Sequence, residues 1–224
     1  MPSHALDPQI YFGLDLGQRK DPAALAILQR LHRNTGVIDP VSREYVWELV
    51  FQLRHVERFR LGTPYIQIVD KLYHLIRDVG LGTHPLFIPA GWPLQRGHTQ
   101  NPLRTLVVDA SGVGAPVVEL LRRDIKDCTI VPITITSGET AHPDPQGGGG
   151  AYCVPRRDLI SALRLLLELD HLKIAKDINN RKELIEELTN LTDRPTAHHD
   201  DLAMAAALAT WKATQGLFRQ DLLK

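Results

Sequence analysis

The stretch YFGLDLG, residues 11 to 17, alternates in hydrophobicity and stops at Gly17. A period of two belongs to a half-buried strand, so a strand is predicted here with Asp15 near its end. AALAILQRL, after Asp21-Pro22, and EYVWELVFQLRHVERF, residues 44 to 59, are rich in β-branched, aromatic and alternating positions. With the first strand they predict an antiparallel three-strand meander. From Pro64 to Val79 the pattern changes to helical spacing, with Ile66, Val69, Leu72, Tyr73 and Ile76 on the apolar stripe and proline tolerated in the first turn. Residues 81 to 104, dense in proline and glycine, predict a loop.

TLVVD, residues 105 to 109, is short, β-branched and uninterrupted, as in a strand covered on both faces. SGVGAP turns the chain into a helix carrying Val117, Val118, Leu120 and Leu121, and IVPITI, residues 130 to 135, predicts a further strand. The run Gly147 to Gly150 is expected to form a mobile loop, since four glycines fix no conformation by themselves. From Arg156 onward the pattern is helical, in DLISALRLLLEL, RKELIEELTNL and HDDLAMAAALATWKA. The order βββαβαβα with a helical extension predicts an α/β fold: a mixed sheet of three antiparallel strands, then parallel strands, flanked by helices on both faces. It is the element order of the RNase H-like fold.

Composition narrows the function only slightly. The 224 residues, 43% hydrophobic and 23% charged, are ordinary for a globular protein, and no apolar run approaches the roughly 20 residues of a membrane span. The N-terminal MPSHALDPQ lacks the basic and apolar segments of a secretion signal, so a cytoplasmic protein with no membrane partner is expected. Cys128 and Cys153 are isolated, against a disulfide framework or a thiolate zinc site. Net charge is zero with the histidines neutral, so there is no overall basic field of the kind many nucleic-acid binders use; basic contacts must be local.

The candidate chemistry lies in the acids. Asp15 and Asp109 each end a predicted strand, the first and fourth, which are neighbours in that sheet order. Ligands in open α/β sheets collect at the carboxyl ends of strands. If the helix after His199 begins at the same edge, Asp200 or Asp201 completes a three-carboxylate cluster. Such anions repel one another unless divalent cations neutralise them, and hard oxygen donors select Mg²⁺ or Mn²⁺ over Zn²⁺. Two such ions suit in-line phosphodiester hydrolysis. Taken singly, Asp15 is an ordinary turn residue, Asp109 a cap of the next helix, and Asp200 and Asp201 first-turn acids favoured by the helix dipole.

GLDLGQRKDPAALAIL, VVDASGVGAPVVELL, AYCVPRRDLISALRLLLELDHLKI and HHDDLAMAAALA, in this order, resemble the nuclease domain of the phage terminase large subunit over about residues 10 to 210. The resemblance implies an RNase H-like fold and a metal-dependent endonuclease that cuts concatemeric viral DNA. It implies Asp15 and Asp109 as the first two metal-binding acids, Asp201 as the third with Asp200 as its alternative, and His199 as a supporting or proton-handling group. Related nucleases read like HDDLVDALALA here, with a further acid three residues on; this chain has Met204, which cannot bind a hard cation. The expected organisation is an N-terminal extension over 1–9, a nuclease domain over 10–215 and a tail over 216–224. There is no GxxxxGK[ST] loop, so no ATPase domain is expected.

Implied partners are double-stranded DNA, a separate packaging ATPase, a small terminase subunit and a portal, in the cytosol of a phage or prophage host. Arg19, Lys20, Arg156 and Arg157 are the candidate phosphate contacts. Trp47, Trp92 and Trp211 are expected to pack, and His32, His55 and His74 are ordinary histidines without partners at metal spacing. Two competing readings are an actin-like or sugar-kinase-like ATP-binding domain, whose turns resemble GLDLG and VDASGVG, and a terminase-like assembly module without turnover.

Overall fold

In the computed structural model, residues 9–17, 21–80, 103–112, 114–193 and 199–217 are described. Arg19, Lys20, Trp92, nearly all of the predicted 81–104 loop and most of both expected terminal segments lie outside them. β1 (Gln9–Asp15), β2 (Ala24–Ile38) and β3 (Tyr45–Arg58) form the antiparallel meander, with Asp15 opposite Ala24 and Ala24 opposite Arg58. α1 (Tyr65–Gly80) leads to β4 (Arg104–Asp109), which runs parallel beside β1. α2 (Gly114–Asp124) and β5 (Thr129–Thr136) follow, then the short pair β6 (His142–Pro143) and β7 (Tyr152–Pro155), α3 (Arg156–Glu168), β8 (Leu172–Ile174), α4 (Arg181–Asn190) and α5 (Asp201–Thr214). The sheet order is β6-β7-β5-β4-β1-β2-β3-β8.

Strand periodicity sorts the core into two layers. Ile10, Phe12 and Leu14 of β1, with Leu106 and Val108 of β4, pack with Ile68, Val69, Leu72 and Ile76 of α1 and Val117, Val118 and Leu121 of α2. Tyr11 and Val107 face the opposite way, towards α3, α4 and α5. Asp15 shares its parity with Tyr11, Asp109 with Val107, and Arg58 with Val56. All three charged groups therefore belong to the α5 side of the sheet.

The sequence pattern and the fold part in a few places. The stripe of α1 runs through Ile68, Val69, Leu72, Ile76 and Val79, while Ile66 and Tyr73 are exposed. β7 and β8 interrupt the stretch read as loop and helix; both are too short to show a period, and both exist because they pair in parallel with β5 and β3. The glycine run takes a defined conformation because its neighbours hold it. Asp144 N–H donates to Ala151 O at 2.9 Å, Arg122 Nη2 donates to Gly149 O at 2.9 Å, and Gly148 and Gly150 both sit at φ 78°. Both cysteines are free, and burial pushes the Cys128 thiol up to about 12. Trp211 is buried edge-on against Tyr152, whereas Trp47 is exposed on the hairpin of β2 and β3. His55 and His74 sit beside Glu57 and Asp70. No helix among the described residues is long and apolar enough to cross a membrane.

Candidate metal centre

The site is built by the way α5 meets the sheet. An Ala-rich helix, apolar on every side, must be buried on every side, and α5 touches β1, β2, β3, β4, α3 and α4. Its approach to β1 is set by Gly13. A Cβ at that position would lie 1.9 Å from the Ala205 carbonyl oxygen and 2.9 Å from the Ala209 nitrogen. Only glycine lets strand and helix backbones touch there. Asp15 lies two residues beyond Gly13, and Asp201 one helical turn before Ala205, so this contact brings the start of α5 to the carboxyl end of β1.

The electrostatics record the gathering. Burial pushes the Asp15 carboxyl well above the usual range, and the charges of Asp109, Asp201 and Asp200, in that order, push it further, while Arg156 opposes them. Asp109 is raised by burial against two opposing hydrogen bonds from Ser111 and the charge of Arg156. Its Oδ1 accepts the Ser111 N–H at 2.8 Å, the local bond a strand-end aspartate makes as the chain turns. Asp201 is also raised by burial, with Arg58 and His199 pulling it down and Asp200 pushing it up.

Each expected residue among those described has a definite place. Asp200 sits in the N-cap position of α5 without a side-chain capping bond, its carboxylate paired with Arg156 Nη2. Asp201 Oδ2 lies 3.4 Å from Arg58 Nε and 3.7 Å from His199 Nδ1, and makes no hydrogen bond. His199 is exposed at the mouth. Met204 is buried in the core, away from any role as a ligand. Arg156 is an internal counter-charge to the acids, also donating to Thr192 O at 3.3 Å. Arg157 stays at the surface, donating to the Glu139 carbonyl and lying 3.7 Å from Asp158.

Two further residues belong here that the pattern along the chain did not single out. Arg58 ends β3 at the same sheet edge and pairs with Glu187 of α4. Glu187 is only 7% exposed, its Oε2 accepts the Ala203 N–H at 2.9 Å, and burial pushes its carboxyl up to about 7 against the pull of that bond and of Arg58. A signal was present: Leu184, Glu187, Leu188 and Leu191 follow helical spacing, and an acid inside an apolar stripe needs a partner. Beside them opens a cleft of about 250 Å³ lined by Arg58, Glu183, Glu186, Glu187, Asn190 and His199.

These acids share one edge without converging on one point; among the described residues no three acidic, histidine or cysteine side chains stand ready to hold a single ion. The donor set nevertheless fits a hard divalent cation. Asp15, Asp109 and Asp201 supply carboxylate oxygens only, all three are held in an environment that disfavours their charge, and Asp201 Oδ2 is a buried acceptor with no hydrogen bond.

No model of a known protein family matches the sequence, and no curated protein matches it. Among solved structures, the human cytomegalovirus terminase nuclease domain, soaked with Mn, is 16% identical at a TM-score of 0.54, covering 94% of this chain and 86% of that one. The large terminase nuclease of the thermophilic phage G20c is 19% identical at a TM-score of 0.48, covering 91% and 84%, and Thermus thermophilus RuvC is 12% identical at 0.34, covering 93% and 97%. With a mixed eight-stranded sheet and five helices among the described residues, the chain has the RNase H-like fold and resembles a terminase nuclease domain across nearly its whole length.

Proposed function

We propose that this protein is a divalent-metal-dependent endonuclease that hydrolyses DNA phosphodiester bonds with two Mg²⁺ or Mn²⁺ ions, in the manner of a terminase nuclease in viral genome packaging. The observation that carries the reading is the presence, on one face and one edge of the sheet, of Asp15, Asp109 and the start of α5, with the charges of Asp109, Asp201 and Asp200 all raising the cost of charging Asp15. Like charges gathered at one place oppose one another, a cost that bound cations turn into binding energy. When bound, the cations supply Lewis acidity towards a phosphate oxygen and neutralise charge that develops during displacement.

In this reading Asp15 and Asp109 hold the ions, with Asp201 as the third ligand and Asp200 as the alternative. The unbonded Oδ2 of Asp201 favours it, whereas Asp200 is engaged by Arg156. His199, 3.7 Å from Asp201, is placed to accept or return a proton at Nδ1. A phosphate arriving at Arg156 competes with Asp200 for the same guanidinium. Arg157, and Arg19 and Lys20 outside the described residues, remain the other candidate phosphate contacts. The cleft beside Glu183, Glu186 and Glu187 is acidic and unsuited to a polyanion, so the duplex approaches from another side. The domain spans about 10–215. Its partners in this reading are double-stranded DNA, a separate packaging ATPase, a small subunit and a portal, in the host cytosol.

The test is incubation of supercoiled plasmid with purified protein. Nicked and linear products are expected in Mn²⁺, fewer in Mg²⁺ and none in EDTA, with little sequence preference. ATP hydrolysis without any DNA cleavage would overturn the proposal in favour of an ATP-binding domain.

A further inference from the structure

Two buried polar atoms form an ion pair that does not close to a hydrogen bond. Arg58 Nε and Asp201 Oδ2 are 3.4 Å apart, and neither makes a hydrogen bond. A guanidinium beside a carboxylate ordinarily closes to a short, often bidentate pair. Here it does not, because the Nη2 end of Arg58 is held by Glu187 Oε1. The other oxygen of the same carboxylate accepts the Ala203 N–H at 2.9 Å, within the first turn of α5. That turn has exposed donors to satisfy, and Asp200, the residue in the capping position, does not satisfy them with its side chain.

We infer that Glu187 is a positioning residue with two tasks: it caps α5 from outside the helix, and it keeps Arg58 from closing its long ion pair with Asp201 into a hydrogen-bonded one. Both tasks bear on the first-turn carboxylates: Asp200 is released from capping and pairs with Arg156, and Asp201 Oδ2 is left without a hydrogen bond. Were Asp200 to cap the helix itself, its oxygens would turn towards the amides. Were Arg58 free to turn, it would occupy the Asp201 oxygen that a cation needs. The inference rests on the reading of Asp201 as a metal ligand, but the capping task is independent of it.

The experiment compares wild type with Glu187→Gln, Glu187→Ala and the double variant Glu187→Gln/Arg58→Met. Amide hydrogen exchange in metal-free protein reads the cap, and the electron paramagnetic resonance signal of free Mn²⁺ reads binding without any turnover. Glutamine keeps an acceptor for Ala203 and loses the ion pair. Glu187→Gln is therefore expected to exchange like wild type at Ala203 yet bind Mn²⁺ about tenfold more weakly, the size typical of residues that orient a ligand. Removing Arg58 as well is expected to restore most of that affinity, a coupling that a merely structural glutamate does not produce. Glu187→Ala is expected to exchange faster at Ala203. Wild-type Mn²⁺ affinity in Glu187→Gln, or no rescue in the double variant, overturns the second task; unchanged exchange in Glu187→Ala overturns the first. If wild type itself binds no Mn²⁺, the metal reading and the second task fall together, while the cap is still judged by exchange.

Discussion

On one side of the sheet, Ile10, Phe12, Leu14, Leu106 and Val108 meet α1 and α2 through large side chains; on the other, Gly13 and the alanines of α5 bring backbone against backbone. The difference lies in tolerance. Large apolar side chains can shift to absorb a changed neighbour, at the cost of cavities and lost burial. A contact made by the absence of side chains has no rotamer with which to shift, and a Cβ at Gly13 would meet the α5 backbone directly. The acids lie on the second side. For the proposed site, which draws carboxylates from β1, β4 and α5, a backbone contact is a more exact reference than side chains that can repack.

The largest expected effect tests whether the acids act as a unit. Asp15→Asn should lower plasmid cleavage by about a thousandfold or more, roughly 4 kcal/mol of lost transition-state stabilisation. The same substitution should raise the melting temperature of the metal-free protein, since it removes a charge that burial and Asp109 both oppose. A fall in stability together with activity would show the loss to be unfolding. Next, Gly13→Val should displace α5, costing about 3 kcal/mol or more and removing Mn²⁺ binding even where the chain still folds. Leu72→Ala, on the other side, should cost a similar ~2–5 kcal/mol and leave Mn²⁺ affinity unchanged below its melting temperature. Equal effects on binding from both variants would remove the distinction between the two sides.

A smaller difference separates the two first-turn acids. Asp201→Ala should weaken Mn²⁺ binding more than Asp200→Ala, read by titration of each. The smallest effect is on stability against pH in EDTA. The raised carboxyl of Glu187 is protonated in the folded state up to about 7, above its ordinary 4.5. The folded state therefore binds more protons than the unfolded chain within that window. This contribution to stability is fully present below about 4.5 and is lost as pH rises through about 7. Asp15, Asp109 and Asp201 add in the same direction, and saturating Mn²⁺ should reverse the trend. A melting temperature in EDTA that rises between pH 5 and 8 would contradict the burial of these groups.

Much of this was legible in the chain. Asp15 and Asp109 stood out because predicted strands ended on them, the first alternating and the fourth an uninterrupted apolar run; that they share a face follows from the observed pleat and core. The acids of α5 stood out because charge opened a helix made to be buried. Arg58 and Glu187 did not, since an arginine at a strand end and a glutamate in a helix are ordinary until topology brings them together, although the stripe of Leu184, Leu188 and Leu191 marked Glu187. Gly13 was one glycine in a strand; its role is visible only when Ala205 lies against it. β7 and β8 are made by pairing rather than by pattern. The site roles of Asp15, Asp200 and Asp201 rest on the variants above.

The first strand described and the last helix meet in the middle of the molecule, so the acidic edge is assembled from opposite ends of the fold. Such distant closure is slow in folding, because loop entropy is lost before the contact forms. Until α5 docks on β1, Asp15 and Asp109 are two ordinary strand-end aspartates. On the proposed reading, a chain in which α5 has not docked on β1 lacks the assembled centre, so activity waits on completion of the fold.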